Sequence, residues 1–356
     1  MFQLVPSKRL VGSGLACLLL AVLVACGGAP ASGPAPTSAP AARQPELPLL
    51  NEAIDTVTQV AAAKGWTPFD SVPAPDAQFV YFTANGSSGP AVYKVASTGG
   101  AVTALATGAP FSAPWGLSIS TDGQTLYVAD LGAENSTDGN GIFALPISGG
   151  RPTRLEQTAG SRPNVPEVVS ENGVDMLYYS GFDPSDKQPA IFKLNPAQNE
   201  PAIVVFKGAP LVWPSGVAVT KTGVVYVVDL AASGNDLGAV YRIQKGTAEK
   251  LADQIRTSLW IAGAALTLDE SALLVSNLHA EKGTAQVLVV KLSTGAVGLI
   301  NKGIATNTGA GGVHRAHRLN QFSWADITPG PPIRLRPPSL SSAPSDGGGV
   351  YFLTTP

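Results

Sequence analysis

One five-residue pattern returns six times along this chain and limits what it can fold into. Leu126-Tyr127-Val128-Ala129-Asp130 reappears as Val225-Tyr226-Val227-Val228-Asp229, and weaker copies end at residues 84, 181, 277 and 326. Successive copies end 46, 51, 48, 48 and 49 residues apart, the even spacing of a repeated structural unit. Each copy reads as the second strand of its unit. About fourteen residues before its end lies an alternating or β-branched run, such as Trp115-Gly116-Leu117-Ser118-Ile119-Ser120 or Ser215-Gly216-Val217-Ala218-Val219-Thr220. A turn of the Asp122-Gly123 or Thr222-Gly223 kind closes that hairpin. A third strand follows, as in Ala239-Val240-Tyr241-Arg242-Ile243, and a fourth comes after a glycine turn, as at Gly149-Gly150 before Thr153-Arg154-Leu155.

Four antiparallel strands per unit, six times over, predict an all-β, six-bladed β-propeller across residues 49–356. The composition agrees. With 39 Gly and 30 Pro the chain is punctuated into short elements, and 44% apolar residues can fill a large core, so long helical bundles are not expected. The last unit has its third strand at Gly349–Leu353 and no fourth of its own before Pro356. Residues Ile54 to Val60 are therefore expected to supply it as an N-terminal strand that latches the ring. A helix is the rival there, because Leu50, Ile54, Val57 and Val60 also fit a helical stripe, with Asn51 as cap and Gly65 as stop.

The segments before the propeller have another character. Lys8 and Arg9 precede an apolar run from Leu10 to Val24, too short for the ~20 residues of a spanning helix, so residues 1–25 read as a cleaved secretory signal. Leu23-Val24-Ala25-Cys26 resembles the bacterial lipobox, which implies a lipoprotein with acyl chains such as palmitate on Cys26. The next residue is Gly27 where inner-membrane retention signals usually carry Asp, so the resemblance implies an extracytoplasmic protein of the outer membrane or cell surface. Residues 26–48 form an Ala/Pro/Ser-rich tether. Cys17 leaves with the signal, and no disulfide is expected. Removing Lys8 and Arg9 leaves 21 basic against 25 acidic residues, an unsuitable balance for nucleic acid. The expected partners are the membrane, through the lipid, and a protein or small-molecule ligand, with the chain acting as a monomer.

At the level of the repeat, Pro214-Ser215-Gly216-Val217-Ala218-Val219 and Pro114-Trp115-Gly116-Leu117 resemble NHL-repeat propellers and the related gluconolactonase-like propellers, over most of residues 66–353. The resemblance implies a ligand site on the channel face. Asp130, Asp229, Asn277 and Asp326 end second strands, while Asp70 and Glu167 stand at the starts of first strands where other units have Gly, so these six groups are expected to ring one mouth. Oxygen ligands of that kind suit Ca²⁺ or Mg²⁺. The competing role for an Asp that closes a strand is to accept backbone hydrogen bonds in the next turn. Gluconolactonase-like enzymes open lactones with a Glu, Asn and Asp set around a metal. Here Trp115 replaces the family's Asn, and an indole has no lone pair to offer.

Trp115, Trp213 and Trp260 recur near the starts of first strands, as an aromatic platform or as packing between blades. In the last unit His314, Arg315, His317 and Arg318 replace residues such as Ser118 and Ile119. Positions three apart on a strand face opposite ways, so His314 and His317 are expected to line the channel or cap a turn rather than share a metal. The loop over residues 327–348, with Pro329, Pro331, Pro332, Arg334 and Arg336, is open between lid, partner-binding arm and disorder. Little supports nucleophilic catalysis, although His279 could serve as a base for a nearby Ser. The leading expectation is a non-catalytic binding module. A metal-dependent lactonase is the alternative, and a redox propeller holding a quinone against the tryptophans the third.

Overall fold

The computed structural model describes residues 56–62, 65–132, 140–234, 237–256, 261–278, 285–300, 309–327 and 349–354. These form six antiparallel sheets of four strands each. The innermost strands are Trp66–Pro73, Pro114–Ile119, Pro166–Glu171, Pro214–Val219, Ala264–Leu266 and Gly309–Arg315, in blades 1 to 6. Each blade packs on the next and blade 6 returns to blade 1, which closes the ring.

The period-2 pattern of the repeat explains this packing. Side chains of a strand alternate between its two faces, and in a propeller both faces meet a neighbouring blade. Leu126 and Val128 pack toward blade 1, with Val72, Tyr81 and Val92. The intervening Tyr127 and Ala129 pack toward blade 3, with Val168, Leu177 and Tyr179. Nearly every residue of the second strand is therefore buried, which is why it reads as a continuous apolar run rather than as a half-polar one. The core is accordingly divided among the seams between blades, where burying each Val, Leu or Phe is worth about 1.5–3 kcal/mol.

The latch forms as a strand and not as a helix. Thr56–Ala62 is the outer strand of blade 6 and pairs antiparallel with Gly349–Thr354, from Thr56↔Thr354 to Ala62↔Gly349, with a bulge between Gln59 and Ala61. Thr56 and Thr354 join their hydroxyls at 2.7 Å. The free edge of the third strand offers a full row of backbone partners, while a short helix would satisfy only itself. Val60 and Ala61 also enter the seam between blades 6 and 1. Residues Leu50, Asn51 and Ile54 lie outside the described residues, as do Cys26 and the tether.

Candidate functional site at the hub

Glycine determines how closely the innermost strands approach. A Cβ on Gly116 would lie 2.1 Å from the Asn164 carbonyl oxygen of blade 3, and one on Gly263 only 1.9 Å from the Val313 nitrogen of blade 6. Neighbouring innermost strands thus meet backbone to backbone around the hub. Blade 1 carries Asp70 at this glycine position. Room for its carboxylate comes from blade 6, where a Cβ on Gly312 would lie 1.7 Å from Asp70 Oδ1.

Asp70 is fully buried. Its Oδ1 accepts the Ser71 N–H and its Oδ2 the Leu117 N–H, both at 2.8 Å. Oδ2 also meets His314 Nε2 at 3.1 Å, and the other ring nitrogen, Nδ1, lies 3.3 Å from Glu167 Oε2. One imidazole therefore spans blades 1, 3 and 6, with a carboxylate at each nitrogen. His314 is 1% exposed whereas the Glu167 side chain is 25% exposed, so Glu167 is the end of the chain that solvent reaches. Burial by itself would push the imidazole down. The charge and hydrogen bond of Asp70, with the hydrogen bond and charge of Glu167, outweigh it and hold the ring up at about 10.

The ring is thus an imidazolium that donates on both sides. Its folded value lies above the ordinary 6.5, so the stability it contributes is complete below about pH 6.5 and is lost as pH climbs toward about 10. Urea unfolding of wild type and His314→Gln across that interval checks the sign: the gap between them should narrow steadily with rising pH. A constant gap would mean the ring is not charged.

Register corrects the placement of Glu167. The first hairpin of blade 3 is two residues longer than those of blades 2 and 6: eleven positions separate Glu167 from Tyr178, while nine separate Ser118 from Tyr127 and His314 from Ser323. Glu167 opposes Tyr178, as Ser118 opposes Tyr127 and His314 opposes Ser323. It therefore shares the level of His314, and Val165 takes the glycine position in blade 3. Asp70 does occupy that position.

The acids that end second strands serve their own backbone. Asp130 accepts the N–H groups of Ser112, Ala113 and Gly132 at 2.7–3.2 Å. Asp229 accepts those of Val212, Trp213 and Ala231 at 2.8–3.1 Å. Each carboxylate pins the loop that leads into its own blade's innermost strand. Burial pushes Asp130 up to about 6, with the three N–H donors pulling the other way, and Asp229 is raised for the same reason. Asn277 donates to the Leu278 carbonyl at 3.2 Å. Asp326 is fully buried, opposite Ala310 and Gly349.

Trp115 and Trp213 are separated. Trp115 is buried and stacked on Phe69 at 4.7 Å, in an apolar hub cluster with Val165 and Ile261. Trp213 meets Phe182 edge-on at 5.2 Å and packs into the seam between blades 4 and 5. Arg315 lies at the other end of its strand and donates to the carbonyls of Leu266, Ala316, His317 and Leu319. His317 Nε2 binds the Ile119 carbonyl at 2.8 Å, and Arg318 is exposed. Trp260, His279 and residues 328–348 lie outside the described residues.

Among the described residues, no group of three or more His, Cys, Asp or Glu is arranged to hold a metal ion. Asp70 and Glu167 meet different nitrogens of the His314 ring, so the imidazole stands between the two carboxylates. All three residues were legible as candidates, but their mutual contact was not. The available signal was three polar intruders at the innermost-strand level of a repeat that otherwise has small or apolar residues there.

No protein-family model matches the chain, and no curated protein does. Solved structures do resemble it. A gluconolactonase from Xanthomonas campestris superposes with a TM-score of 0.56 at 15% identity, covering 87% of this chain and 94% of that one. The calcium-binding protein regucalcin from Agrobacterium tumefaciens superposes with a TM-score of 0.52 at 13% identity, covering 84% and 96%. At such identities the likeness shows the six-bladed fold alone.

Proposed function

We propose that this chain is a lipid-anchored, extracytoplasmic propeller that binds a ligand or protein on its channel face without catalysis, with Glu167 as the polar anchor. One observation carries the reading. Of the two hub carboxylates bound to His314, Glu167 is the one solvent reaches, and its Oε1 has no hydrogen-bond partner among the described residues. The imidazolium fixes Oε2 and orients Oε1 as an acceptor for a ligand N–H or O–H. The lipobox at Cys26 and the tether after it support the location.

Carbodiimide activation with an amine nucleophile, followed by peptide mapping, tests the anchor. Glu167 is expected to label well ahead of Asp70, Asp130, Asp229 and Asp326. Calorimetric titration with CaCl₂ and MgCl₂, alongside an assay of glucono-δ-lactone opening with and without EDTA, tests the rest. Saturable ion uptake that Glu167→Gln abolishes, together with EDTA-sensitive lactone opening, would replace the binding module with a metal-dependent lactonase.

A further inference from the structure

Charge is divided across the face of the ring that carries the turns joining first to second strands. The turns of blades 1 to 3 hold Asp76, Asp122, Glu171 and Asp175 and no basic residue. On the other half, Lys221 is exposed in the turn of blade 4 and Arg318 in that of blade 6. Lys245 and Lys291 are exposed at the same level, where the third strands of blades 4 and 5 end, with Lys291 opposite Ala272. None of these four side chains forms an ion pair among the described residues. The acids of this half are Asp269, which accepts from Thr267 and Ser271, and Glu270, which accepts the Lys221 N–H at 2.8 Å. The Leu268 N–H in turn reaches Asn320 Oδ1 at 2.6 Å, so the turns of blades 4, 5 and 6 form one continuous surface. Leu268 and Leu319, 37% and 38% exposed, place two apolar side chains among its basic groups.

The latch shows where the chain from Cys26 joins the ring. Thr56 pairs with Thr354, and Thr354 with Gln321, the residue after the turn of blade 6. The anchored chain therefore enters at the basic half of this face. Residues 26–55 span at most about 100 Å when extended, so the tether alone does not choose which face meets a membrane. Surface chemistry makes that choice. Each Lys or Arg near an anionic bilayer strengthens association about fivefold, and apolar side chains among them enter the headgroup layer. An acidic protein would suit the charge but would leave the entry point of the anchored chain unexplained.

We infer that the turn face of blades 4 to 6 docks on an anionic phospholipid bilayer, an orientation that rests on the lipid anchor proposed above. Low-extent acetylation of lysines on the full protein, followed by peptide mapping, tests it on two kinds of vesicle: phosphatidylcholine alone, and phosphatidylcholine with a quarter phosphatidylglycerol. On the anionic vesicles Lys221, Lys245 and Lys291 are expected to react severalfold more slowly than on the neutral ones. Lys187, exposed in the loop between second and third strands of blade 3 at the opposite face, should react alike on both. Half-molar NaCl should remove the protection. Lys291→Glu/Arg318→Glu, with its melting temperature unchanged, should bring Lys221 and Lys245 to within about twofold of their rates on neutral vesicles. Three outcomes would overturn the docking: equal rates at Lys221, Lys245 and Lys291 on both vesicles, protection of Lys187 as strong as theirs, or protection that survives the double charge reversal. The same peptide map reports the acyl chains on Cys26. Their absence would refute the anchor alone, because the lysine rates still show whether the face meets the anionic surface.

Discussion

His314→Leu is expected to destabilise the propeller by about 3–5 kcal/mol, the cost of stranding a buried charge, with a melting temperature lower by roughly 10 °C. The leucine fills much of the imidazole's space, so lost volume is a minor part of the effect. The larger part falls on Asp70, which is fully buried and would face only the N–H groups of Ser71 and Leu117. Glu167, partly exposed, can turn to water and suffers less. The double variant Asp70→Asn/His314→Leu removes the stranded charge and should regain at least half of the loss. Urea unfolding of the two singles and the double forms the cycle that isolates the pair. If His314→Leu costs under about 1 kcal/mol, the hub is not held by a charged clasp.

Gly263→Ala is expected to be more damaging still, costing over about 4 kcal/mol or preventing folding. The new methyl would lie 1.9 Å from the Val313 nitrogen and within 2.8 Å of the Gly312 backbone. Those atoms belong to the innermost strand of blade 6, whose position the ring fixes, so the clash cannot relax into a rotamer. Gly223→Ala is the comparison. Gly223 has a φ of +80° and nothing within 4 Å of an added Cβ, so its substitution meets only local backbone strain, about 1–2 kcal/mol. Circular dichroism melts and limited proteolysis of both variants separate the two effects. Equal stabilities would mean that blade-to-blade contact at the hub is looser than the structure shows.

The clasp and the glycines together explain which parts of the protein were legible in the chain. Leu126-Tyr127-Val128-Ala129-Asp130 and its five relatives specify six blades because a strand buried on both faces needs a neighbour on each, and evenly spaced units close such a ring. The latch follows from the same logic, since the third strand of the last blade leaves a row of backbone groups for Thr56–Ala62 to pair with. The backbone-capping role of Asp130 and Asp229 was also readable, because an Asp that ends a strand has local N–H groups within reach.

The hub was decided by tertiary structure. Asp70 and His314 are 244 residues apart and Glu167 and His314 are 147 apart, so no local pattern joins them. The shared level of Glu167 and His314 depends on hairpin length: eleven positions separate Glu167 from Tyr178 in blade 3, where nine separate His314 from Ser323 in blade 6. The contact with Asp70 depends on Gly312, whose missing Cβ gives the Asp70 carboxylate its space. Repetition along a chain specifies which blades neighbour one another; which side chains meet across the axis follows from register and close approach, and those exist only once the ring has closed.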